Sequence, residues 1–332
     1  MCTVFVSHPA GQRAHYFGDR AIAALRVVAD VRVNASDAVL SSQELATLAH
    51  DCEIIIACRQ TVGDEALFFA TPQLWAFVRC AVDIRNVDVL AASRHGVMVT
   101  QASAGYVASV SEWIIGMMIN LSRHITAAVV LYQGGQPVMP VMGCELRGAT
   151  LGVIGYGQIG QYLCDVALAL GMRVVVHDPF APPHPGSLEA LELAPLLQRS
   201  DYVVCLATAT EATENMMDCN AFALMRRSAF FINASRGNLV NEADLLAALD
   251  AGVLAGCALD VGRAPDQMPS PQVAAHPRVL ATPHIGGLTR PAIEHQALET
   301  AHQVVELLQG RAPQGAVNAQ QAWRWQRASL RP

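Results

Sequence analysis

Three glycines, Gly155, Gly157 and Gly160, follow one another at the spacing G-x-G-x-x-G. An apolar run at residues 151–154 precedes them. A stretch with apolar residues at helical intervals follows at 161–170, and a second apolar run at 172–176 comes after it. Asp178 follows the second run, eighteen positions after Gly160. This order of strand, glycine turn, helix, strand and acidic residue is typical of a dinucleotide-binding unit, whereas an ordinary glycine-rich turn lacks most of these elements.

Each position of this segment has its own physical task. Gly155 permits the tight turn, Gly157 lets the backbone approach a pyrophosphate, and Gly160 lets the helix pack closely on the sheet. The first helical residues, Gln158 and Ile159, present backbone N–H groups and partial positive charge to the phosphates. Asp178 is expected to accept hydrogen bonds from the ribose 2′- and 3′-hydroxyls and to repel a 2′-phosphate, which favours NAD over NADP.

Three further polar side chains, those of Arg236, Asp260 and His284, come shortly after apolar runs that predict strands. In an open α/β sheet, ligands bind at the carboxyl ends of the strands. The planar guanidinium of Arg236 can pair bidentately with a carboxylate, and the imidazole of His284 titrates near neutral pH. A hydride transfer to a 2-keto acid needs both, a cation for the carboxylate and a proton donor for the ketone oxygen. Taken singly, Arg236 could form a surface ion pair and His284 could be a structural histidine, but their joint placement around one glycine turn favours the catalytic interpretation.

The elements that position these residues alternate between strand and helix, which predicts parallel sheets. A chain of 332 residues is long enough for two domains. The first hundred residues form an α/β unit of their own, and about six strands follow from Leu151 onward. Residues 107–131 are apolar almost all round, which predicts one long helix buried on several sides, between domains or between subunits.

The composition excludes several other classes of protein. A formal charge of −6 without a Lys/Arg block argues against nucleic acid and anionic membranes as partners. The N-terminus does not resemble a secretory signal, and we expect no membrane span. Nine scattered cysteines without a C-x-x-C pair suggest buried thiols in a reducing compartment, the cytoplasm by default. No cluster of His, Cys and carboxylates has the spacing of a metal site.

The chain resembles the D-isomer-specific 2-hydroxyacid dehydrogenase family over nearly its whole length. The matching motifs are GYGQIG with Asp178, NASRGNLVNEADLLAAL, ALDV and HPRVLATPHIGG. The resemblance implies an α/β protein with two Rossmann-like or flavodoxin-like parallel-sheet domains and an active-site cleft between them. The catalytic (substrate) domain would be discontinuous, and the NAD-binding domain would lie between its two parts; the expected bounds are 1–100 plus 288–332, and 101–287. The resemblance also implies a homodimer.

The resemblance carries over a set of site residues. It implies that Arg236 binds the substrate carboxylate and that His284 is the acid/base and lies beside the cofactor. It also implies that Asp260 and the backbone of Ala234 and Ser235 hold the nicotinamide carboxamide. Thr208 falls on a loop that borders the cofactor in relatives.

The sequence departs from the family pattern at the third catalytic residue. The family has a Glu five positions after the Asp of ALDV, which pairs with the histidine; here Pro265 stands at that position and Asp266 follows. A carboxylate beside an imidazolium favours its charged form, so Asp266 is a candidate catalytic partner of His284. The alternative is that Asp266 caps a turn, as an Asp after Pro often does.

A second departure lies in the first domain, where the family has a G-x-G-x-D-N-x-D loop that holds the substrate carboxylate. Here residues 81–88 read AVDIRNVD, so both glycines and the first Asp have changed. We expect Val82 and Asp83 to contact the substrate, and a carboxylate at Asp83 would favour a hydroxyl or amine on it. The alternative is that Asp83 pairs with Arg85 or caps the helix beginning near Asn86.

The sequence therefore predicts an NAD-dependent dehydrogenase that interconverts a small 2-keto acid and a D-2-hydroxy acid. Two alternatives stay open. One is a non-catalytic NAD-sensing module of the same fold, which the missing Glu favours and the presence of Arg236 and His284 disfavours. The other is a dehydrogenase of an unusual oxyanion such as phosphite.

Overall fold

The protein is an α/β structure with two parallel sheets, as a computed structural model describes it for residues 1–180 and 188–329. The sheets belong to two compact units. Unit 1 comprises residues 1–106 and the segment that begins at 290, and unit 2 comprises residues 107–289. The fold class predicted from the sequence, two parallel-sheet domains, is confirmed. The chain crosses between the units at 106/107 and 289/290, whereas the sequence placed the crossings at 100/101 and 287/288.

Unit 1 is built on a five-stranded sheet in the order β2-β1-β3-β4-β5, with every pair parallel. Its strands are β1 (Thr3–Val6), β2 (Asp30–Val33), β3 (Ile54–Ala57), β4 (Ala76–Arg79) and β5 (Met98–Gln101). Two interior strands of this sheet, β3 and β4, are buried along their whole length. Such continuous burial explains the apolar sequence of β3 and of β4 up to Val78, because both faces of a parallel sheet are covered by helices, and Arg79 ends β4 as a buried charged residue.

The helices of unit 1 come from both ends of the chain. They are α1 (Ala10–Tyr16), α2 (Asp19–Arg26), α3 (Ser42–Leu48), α4 (Glu65–Ala70) and α5 (Val89–Arg94), with the last two helices of the chain, Arg290–Leu308 and Trp323–Ser329. Local sequence fixes several of their starts. Ser41 and Glu44 form a capping box at α3, and the carboxylates of Asp64 and Asp88 cap α4 and α5.

Unit 2 contains a seven-stranded parallel sheet in the order β12-β11-β10-β9-β6-β7-β8. Its strands are β6 (Thr150–Ile154), β7 (Arg173–His177), β8 (Glu189–Ala190), β9 (Tyr202–Cys205), β10 (Phe230–Asn233), β11 (Gly256–Leu259) and β12 (Val279–Ala281). The order reverses between β6 and β9, which is the switch point at which open α/β sheets bind their ligands.

The helices of unit 2 lie between these strands and before the first of them. They are α6 (Val107–Arg123), α7 (Ile125–Gln133), α8 (Gln158–Ala169), α9 (Leu193–Arg199), α10 (Cys219–Leu224), α11 (Glu242–Asp250) and α12 (Pro271–Ala274); the two helices that end the chain are therefore α13 and α14. The sequence also predicts a helix over residues 187–198, of which residue 187 lies outside the described residues. This prediction is wrong in its first described part, because Glu189–Ala190 form β8 and the helix begins at Leu193.

The prediction of one long buried helix over residues 107–131 is also wrong. His124 has a φ of 53°, a left-handed conformation that ends α6, and α7 then departs at 68°. Helix α6 buries one face, whereas no side chain of α7 is buried. Within the described residues, no helix has by itself the length and apolar composition of a membrane span, and only the bent pair α6 and α7 reaches them together.

Candidate active site

The carboxyl ends of six strands of unit 2 form one row across the sheet. The register pairs His177 with Ile154, Ile154 with Cys205, Cys205 with Asn233, Asn233 with Leu259, and Leu259 with Ala281. The predicted site residues follow these ends by one to three positions, namely Asp178, Gly155, Thr208, Arg236, Asp260 and His284. Strand pairing therefore brings the candidate residues of unit 2 to a single edge of the sheet.

The glycine turn after β6 is tightly packed at two of its glycines and open at the third. Gly155 has a φ of 99°, and a Cβ there would lie 2.7 Å from the backbone nitrogen of Ala207. A Cβ at Gly160 would lie 2.3 Å from the carbonyl oxygen of Gly155, so only glycine lets α8 approach the turn this closely. At Gly157, by contrast, a Cβ would meet no atom of the described residues within 4 Å.

Helix α8 begins at this open glycine without a side-chain cap. Gly157 is the N-cap residue, and no side chain in the described ranges caps the first turn. The first N–H groups of a helix lack partners inside the helix and carry partial positive charge, so those of Gln158 and Ile159 suit an anion. The unfilled space at Gly157 and these uncapped amides fit the pyrophosphate of a dinucleotide.

The carboxylate of Asp178 is fixed at the end of β7 by two backbone amides. Its Oδ2 accepts a hydrogen bond from the N–H of Tyr156 at 2.8 Å, and its Oδ1 accepts one from the N–H of Phe180 at 2.9 Å. An ionised carboxylate has about four acceptor positions. Held at the row of strand ends beside the glycine turn, it suits ribose hydroxyls and disfavours a phosphate in their place.

The turn after β10 presents Arg236 at the same edge. Asn233, the last residue of the strand, is buried, donates through its side chain to the carbonyl of Arg236 at 2.9 Å, and accepts from the N–H of Ser235 at 3.1 Å. The hydroxyl of Ser235 donates to the carbonyl of Ala207 at 2.6 Å, which joins this turn to the loop after β9. The guanidinium of Arg236 is half-buried and donates to the carbonyl of Ser235 at 2.8 Å.

Asp260 organises the loop that carries His284. Its Oδ1 accepts hydrogen bonds from the hydroxyl of Thr282 at 2.6 Å and the N–H of Ile285 at 2.8 Å, and its Oδ2 accepts one from the N–H of Gly286 at 2.7 Å. Asp260 is only 3% exposed, so these three bonds stabilise a buried carboxylate. They also hold the loop on both sides of His284, through the Thr282 side chain before it and the backbone N–H groups of Ile285 and Gly286 after it.

His284 itself adopts a left-handed conformation with a φ of 56° and is half-buried. Left-handed non-glycine residues cost energy and persist only where their surroundings impose them. Here the bonds from the N–H groups of Ile285 and Gly286 to Asp260 fix the backbone directly after His284. The sequence indicated Asp260 as a cofactor contact and did not reveal this second task.

The loop after β9 places Thr208 at the surface. Its side chain is exposed, and its carbonyl accepts a hydrogen bond from the hydroxyl of Thr213 at 2.8 Å. Ala234 lies half-buried between β10 and the Arg236 turn. Both residues therefore lie on the row of loops that borders the glycine turn, and their contacts with a cofactor stay predictions.

The backbone of Asp266 belongs to a short 3-10 turn, Pro265–Gln267, but its side chain lies outside what the structure describes. The turn is closed by backbone bonds from Gly262 to Gln267 at 2.8 Å and from Ala264 to Met268 at 3.0 Å. The catalytic and the turn-capping interpretations of Asp266 both stay predictions.

In unit 1, Asp83 forms an ion pair with Arg85. Its Oδ2 accepts from Nη2 of Arg85 at 2.7 Å and its Oδ1 from Nε at 3.0 Å, and the hydrogen bond raises the pKa of the Arg85 guanidinium. The carbonyl of Asp83 also accepts from Nε of the buried Arg79 at 3.1 Å. The structure thus has the pairing that was one of the two interpretations of Asp83. Substrate contacts by Asp83 and by the half-buried Val82 stay predictions.

Two residues that support the site were missed in the sequence. Asn233 and Thr282 each fix the loop of a candidate catalytic residue, through the contacts given above. The signal was available for Asn233, because a polar residue at the end of an apolar strand must find hydrogen-bond partners when it is buried, whereas Thr282 is half-buried and follows the end of β12. Across residues 1–180 and 188–329, no group of three or more His, Cys, Asp or Glu could hold a metal ion.

Comparisons with known proteins agree with this architecture. Residues 115–286, slightly more than half of the chain, match the family model for the NAD-binding domain of D-isomer-specific 2-hydroxyacid dehydrogenases. The chain is 32% identical over 285 residues to chloroplastic D-3-phosphoglycerate dehydrogenase 3 of Arabidopsis thaliana, covering 84% of this chain and 48% of the relative. It is 30% identical over 298 residues to D-3-phosphoglycerate dehydrogenase of a Synechocystis strain, covering 89% and 53%. The chain thus spans about half the length of these curated relatives.

Solved structures of similar fold cover nearly the whole chain. The TT0316 protein from Thermus thermophilus has a TM-score of 0.85 at 27% identity, covering 95% of this chain and 99% of that one. D-lactate dehydrogenase with NAD+ from Lactobacillus jensenii has a TM-score of 0.80 at 22% identity, covering 96% and 99%. At 22% identity, the similarity to the D-lactate dehydrogenase shows a shared fold and nothing more.

Proposed function

Because the chain belongs to the D-isomer-specific 2-hydroxyacid dehydrogenase family, we propose that it transfers hydride between NAD(H) and a small 2-keto or D-2-hydroxy acid. Unit 2 contains the NAD-binding domain of that family, and NAD is its cofactor. The observation that carries the proposal is the row of strand ends, where Arg236, Asp260 and His284 share one edge with the glycine turn. In this proposal unit 1 contributes to substrate binding, and the predicted cleft between the domains stays a prediction.

In the direction of reduction, NADH supplies a hydride to C2 of the keto acid when it is bound. Arg236 pairs with the substrate carboxylate and thereby orients the carbonyl carbon. His284, as the imidazolium, hydrogen-bonds to the carbonyl oxygen and gives it a proton, so that the product is the neutral hydroxyl of a hydroxy acid. In oxidation the neutral imidazole takes that proton back.

Two acidic residues complete the proposed site. Asp260 holds the His284 loop through its three hydrogen bonds, and its place at the sheet edge suits a contact with the nicotinamide carboxamide. Asp266 is the proposed partner that keeps His284 protonated, a role that the family gives to a Glu at the position of Pro265. Asp178 is proposed to select NAD over NADP.

The missing Glu supports a second candidate, a non-catalytic NAD-sensing protein of the same fold. Such a protein would bind NADH but would not turn over, because it would lack a group that charges the histidine. The two candidates share the cofactor and differ in the chemistry at His284, so one experiment separates them.

That experiment follows NADH oxidation at 340 nm against glyoxylate, hydroxypyruvate, pyruvate, phenylpyruvate and 2-oxoglutarate, with NADPH in parallel. We expect turnover with at least one of these acids and a preference for NADH. His284→Asn should lower kcat by about 10²- to 10⁴-fold. The matched control is His276→Asn, which changes another histidine of unit 2, just before the opposite end of β12, and should leave kcat unchanged. Tight NADH binding without turnover would favour the sensor instead.

We also propose that the protein is a homodimer that pairs through α7. This helix buries none of its side chains and exposes a cluster of large apolar ones, Ile125, Val129, Val130, Leu131 and Tyr132. Exposed apolar patches of this kind mark interaction sites, and an isologous contact lets one patch cover its own copy. Val130→Asp should shift the sedimenting species from dimer to monomer, whereas Val27→Asp, at an exposed apolar residue of unit 1, should not.

A cytoplasmic location belongs to the same proposal. All nine cysteines lie in the described residues and are free thiols. Free, mostly buried thiols suit a reducing compartment.

A further inference from the structure

Arg263 lies beside the turn that carries Arg236, here called the Arg236 turn (residues 236–240). Its Nη2 donates to the carbonyls of Asn238 at 3.0 Å and Val240 at 3.2 Å, and its Nε also donates to Val240 at 3.2 Å. These carbonyls point their oxygens at a charged donor, which forms stronger hydrogen bonds than a neutral one. The guanidinium of Arg263 therefore holds the backbone of the Arg236 turn directly.

The same guanidinium is anchored on a second loop. Its Nη2 donates to Oδ1 of Asn215 at 2.6 Å, and the Arg263 side chain forms an ion pair with Oε1 of Glu214 at 2.9 Å. The other carboxylate oxygen of Glu214 accepts from the side chain of Asn238 at 3.2 Å. The hydrogen bonds from Arg263 and Asn238 lower the pKa of Glu214, so that it stays charged opposite the guanidinium at neutral pH.

Backbone packing ties these loops together around Arg263. The N–H of Asn215 donates to the carbonyl of Asn238 at 2.8 Å, and the N–H of Arg263 donates to the carboxylate of Glu242 at 3.1 Å. A Cβ at Gly237 would lie 2.2 Å from the carbonyl of Gly262, so the Arg236 turn rests directly on the segment that contains Arg263. Arg263 thus joins the loops that follow three adjacent strands, β9, β10 and β11.

We propose that Arg263 is a positioning residue for Arg236: it fixes the Arg236 turn so that the Arg236 guanidinium meets the substrate carboxylate in a bidentate geometry. This inference rests on the proposed function and deepens it. Bidentate pairing depends on direction as well as distance, so a turn that shifts by about 1 Å loses much of it. An arginine suits the task because Nε and Nη2 lie in one rigid plane, so that they donate to Val240, Asn238 and Asn215 while the positive charge stays beside the Glu214 carboxylate.

The kinetic test compares the wild-type protein with Arg263→Ala. We expect the KM for the best keto acid to rise about 10- to 100-fold, while the Kd for NADH changes less than about threefold, because the glycine turn and Asp178 are untouched. If Arg263 had a purely structural role, its loss would raise the KM for the keto acid and the Kd for NADH together.

The matched control is Arg226→Ala. Arg226 also forms an ion pair, with Asp201 at 2.8 Å, and also donates to a carbonyl, that of Gln198 at 3.0 Å, but these contacts lie before the start of β9, away from the carboxyl edge of the sheet. The Arg226→Ala variant should therefore have the wild-type KM for the keto acid and the wild-type Kd for NADH.

A second measurement does not depend on activity. Hydrogen–deuterium exchange of the protein without ligands should be faster in the Arg236 turn of Arg263→Ala than in wild type or Arg226→Ala, at the amides of Leu239 and Val240. Among the residues that the structure describes, both amides bond only within this turn, to the carbonyls of Arg236 and Gly237.

The outcomes separate the inference from the proposed function. A higher KM together with faster exchange in the turn supports the positioning role. An unchanged KM, or exchange in the turn equal to that of the control, overturns it. If the wild-type protein reduces none of the keto acids, the proposed function fails, and the exchange measurement alone decides whether Arg263 holds the turn.

Discussion

His8 makes the stability of unit 1 sensitive to acid. It follows β1, is 2% exposed, and its Nδ1 has no hydrogen-bond partner among the residues that the structure describes. Burial and, after it, the positive charges of Arg79 and Arg13 together lower the pKa of His8 from 6.5 to about 3. Arg79 is itself buried, and its guanidinium donates to the backbone carbonyls of Cys58, Arg59 and Asp83.

The magnitude follows from linkage. The unfolded chain binds a proton at His8 below about pH 6.5, whereas the folded chain does so only near pH 3. Above pH 6.5 His8 is neutral in both states, so its titration does not change the free energy of unfolding. Below pH 6.5 the free energy of unfolding falls by about 1.4 kcal/mol for each pH unit. At pH 5 the loss due to this one residue is about 2 kcal/mol.

The assay is urea unfolding at pH 7.5 and pH 5, followed by tryptophan fluorescence, which unit 1 dominates through Trp75, Trp323 and Trp325. His8→Gln removes the titration and keeps a polar side chain. Between pH 7.5 and pH 5, we expect the free energy of unfolding to fall by about 2 kcal/mol more in the wild-type protein than in this variant. His15→Gln, at an exposed histidine of the same unit, is the control and should behave as wild type. Equal losses in wild type and His8→Gln would refute the reasoning.

Three substitutions in unit 2 test the remaining parts of the site. Gly157→Ala should change the free energy of unfolding by less than about 1 kcal/mol, because a Cβ there meets no atom within 4 Å among the described residues. It should raise the Kd for NADH at least about tenfold in a fluorescence titration, since the methyl group would occupy the space assigned to the pyrophosphate. Gly160→Ala should instead lower the free energy of unfolding by about 1–3 kcal/mol, because its Cβ would overlap the carbonyl of Gly155; a stable variant would contradict the packing argument. Asp260→Asn would turn a donor toward the N–H of Ile285 or Gly286, and should cost about 1–3 kcal/mol in urea unfolding and lower kcat.

The sequence predicted the nucleotide-binding part of unit 2 well, because its requirements are local. A tight turn, a close helix and an acidic strand end are each set by one residue at a fixed spacing, as at Gly155, Gly160 and Asp178. The alignment of Arg236 with His284 could also be anticipated, since adjacent parallel strands end at one edge of the sheet. These features depend on chain order and strand pairing and do not require knowledge of side-chain packing.

Features that depend on packing were predicted less well. Nothing in the apolar run at 107–131 marked His124 as a left-handed residue that ends one helix and starts another. The part after it, α7, is as apolar as a buried helix and yet exposed, so composition could not distinguish a core position from a surface one. The three hydrogen bonds to Asp260 depend on how the loop after β12 folds back, which its strand assignment does not specify.

Of the three departures from the family pattern in the loop at 81–88, those at Asp83 and Arg85 are best understood as one change. The family's glycine has become Asp83 and its aspartate has become Arg85, and the two new side chains neutralise each other in a bidentate ion pair. Asn86, which the family keeps, still donates to the carbonyls of Arg59 at 3.1 Å and Thr61 at 2.9 Å, while Arg79 holds the carbonyl of Asp83. The loop is thus anchored at its base by the residue that the family keeps and rebuilt at its tip. Unit 2 departs from the family motifs at Pro265 but keeps Arg236 and His284, whereas this short loop of unit 1 changes both glycines and the first aspartate, so the departures from the family pattern are concentrated in unit 1.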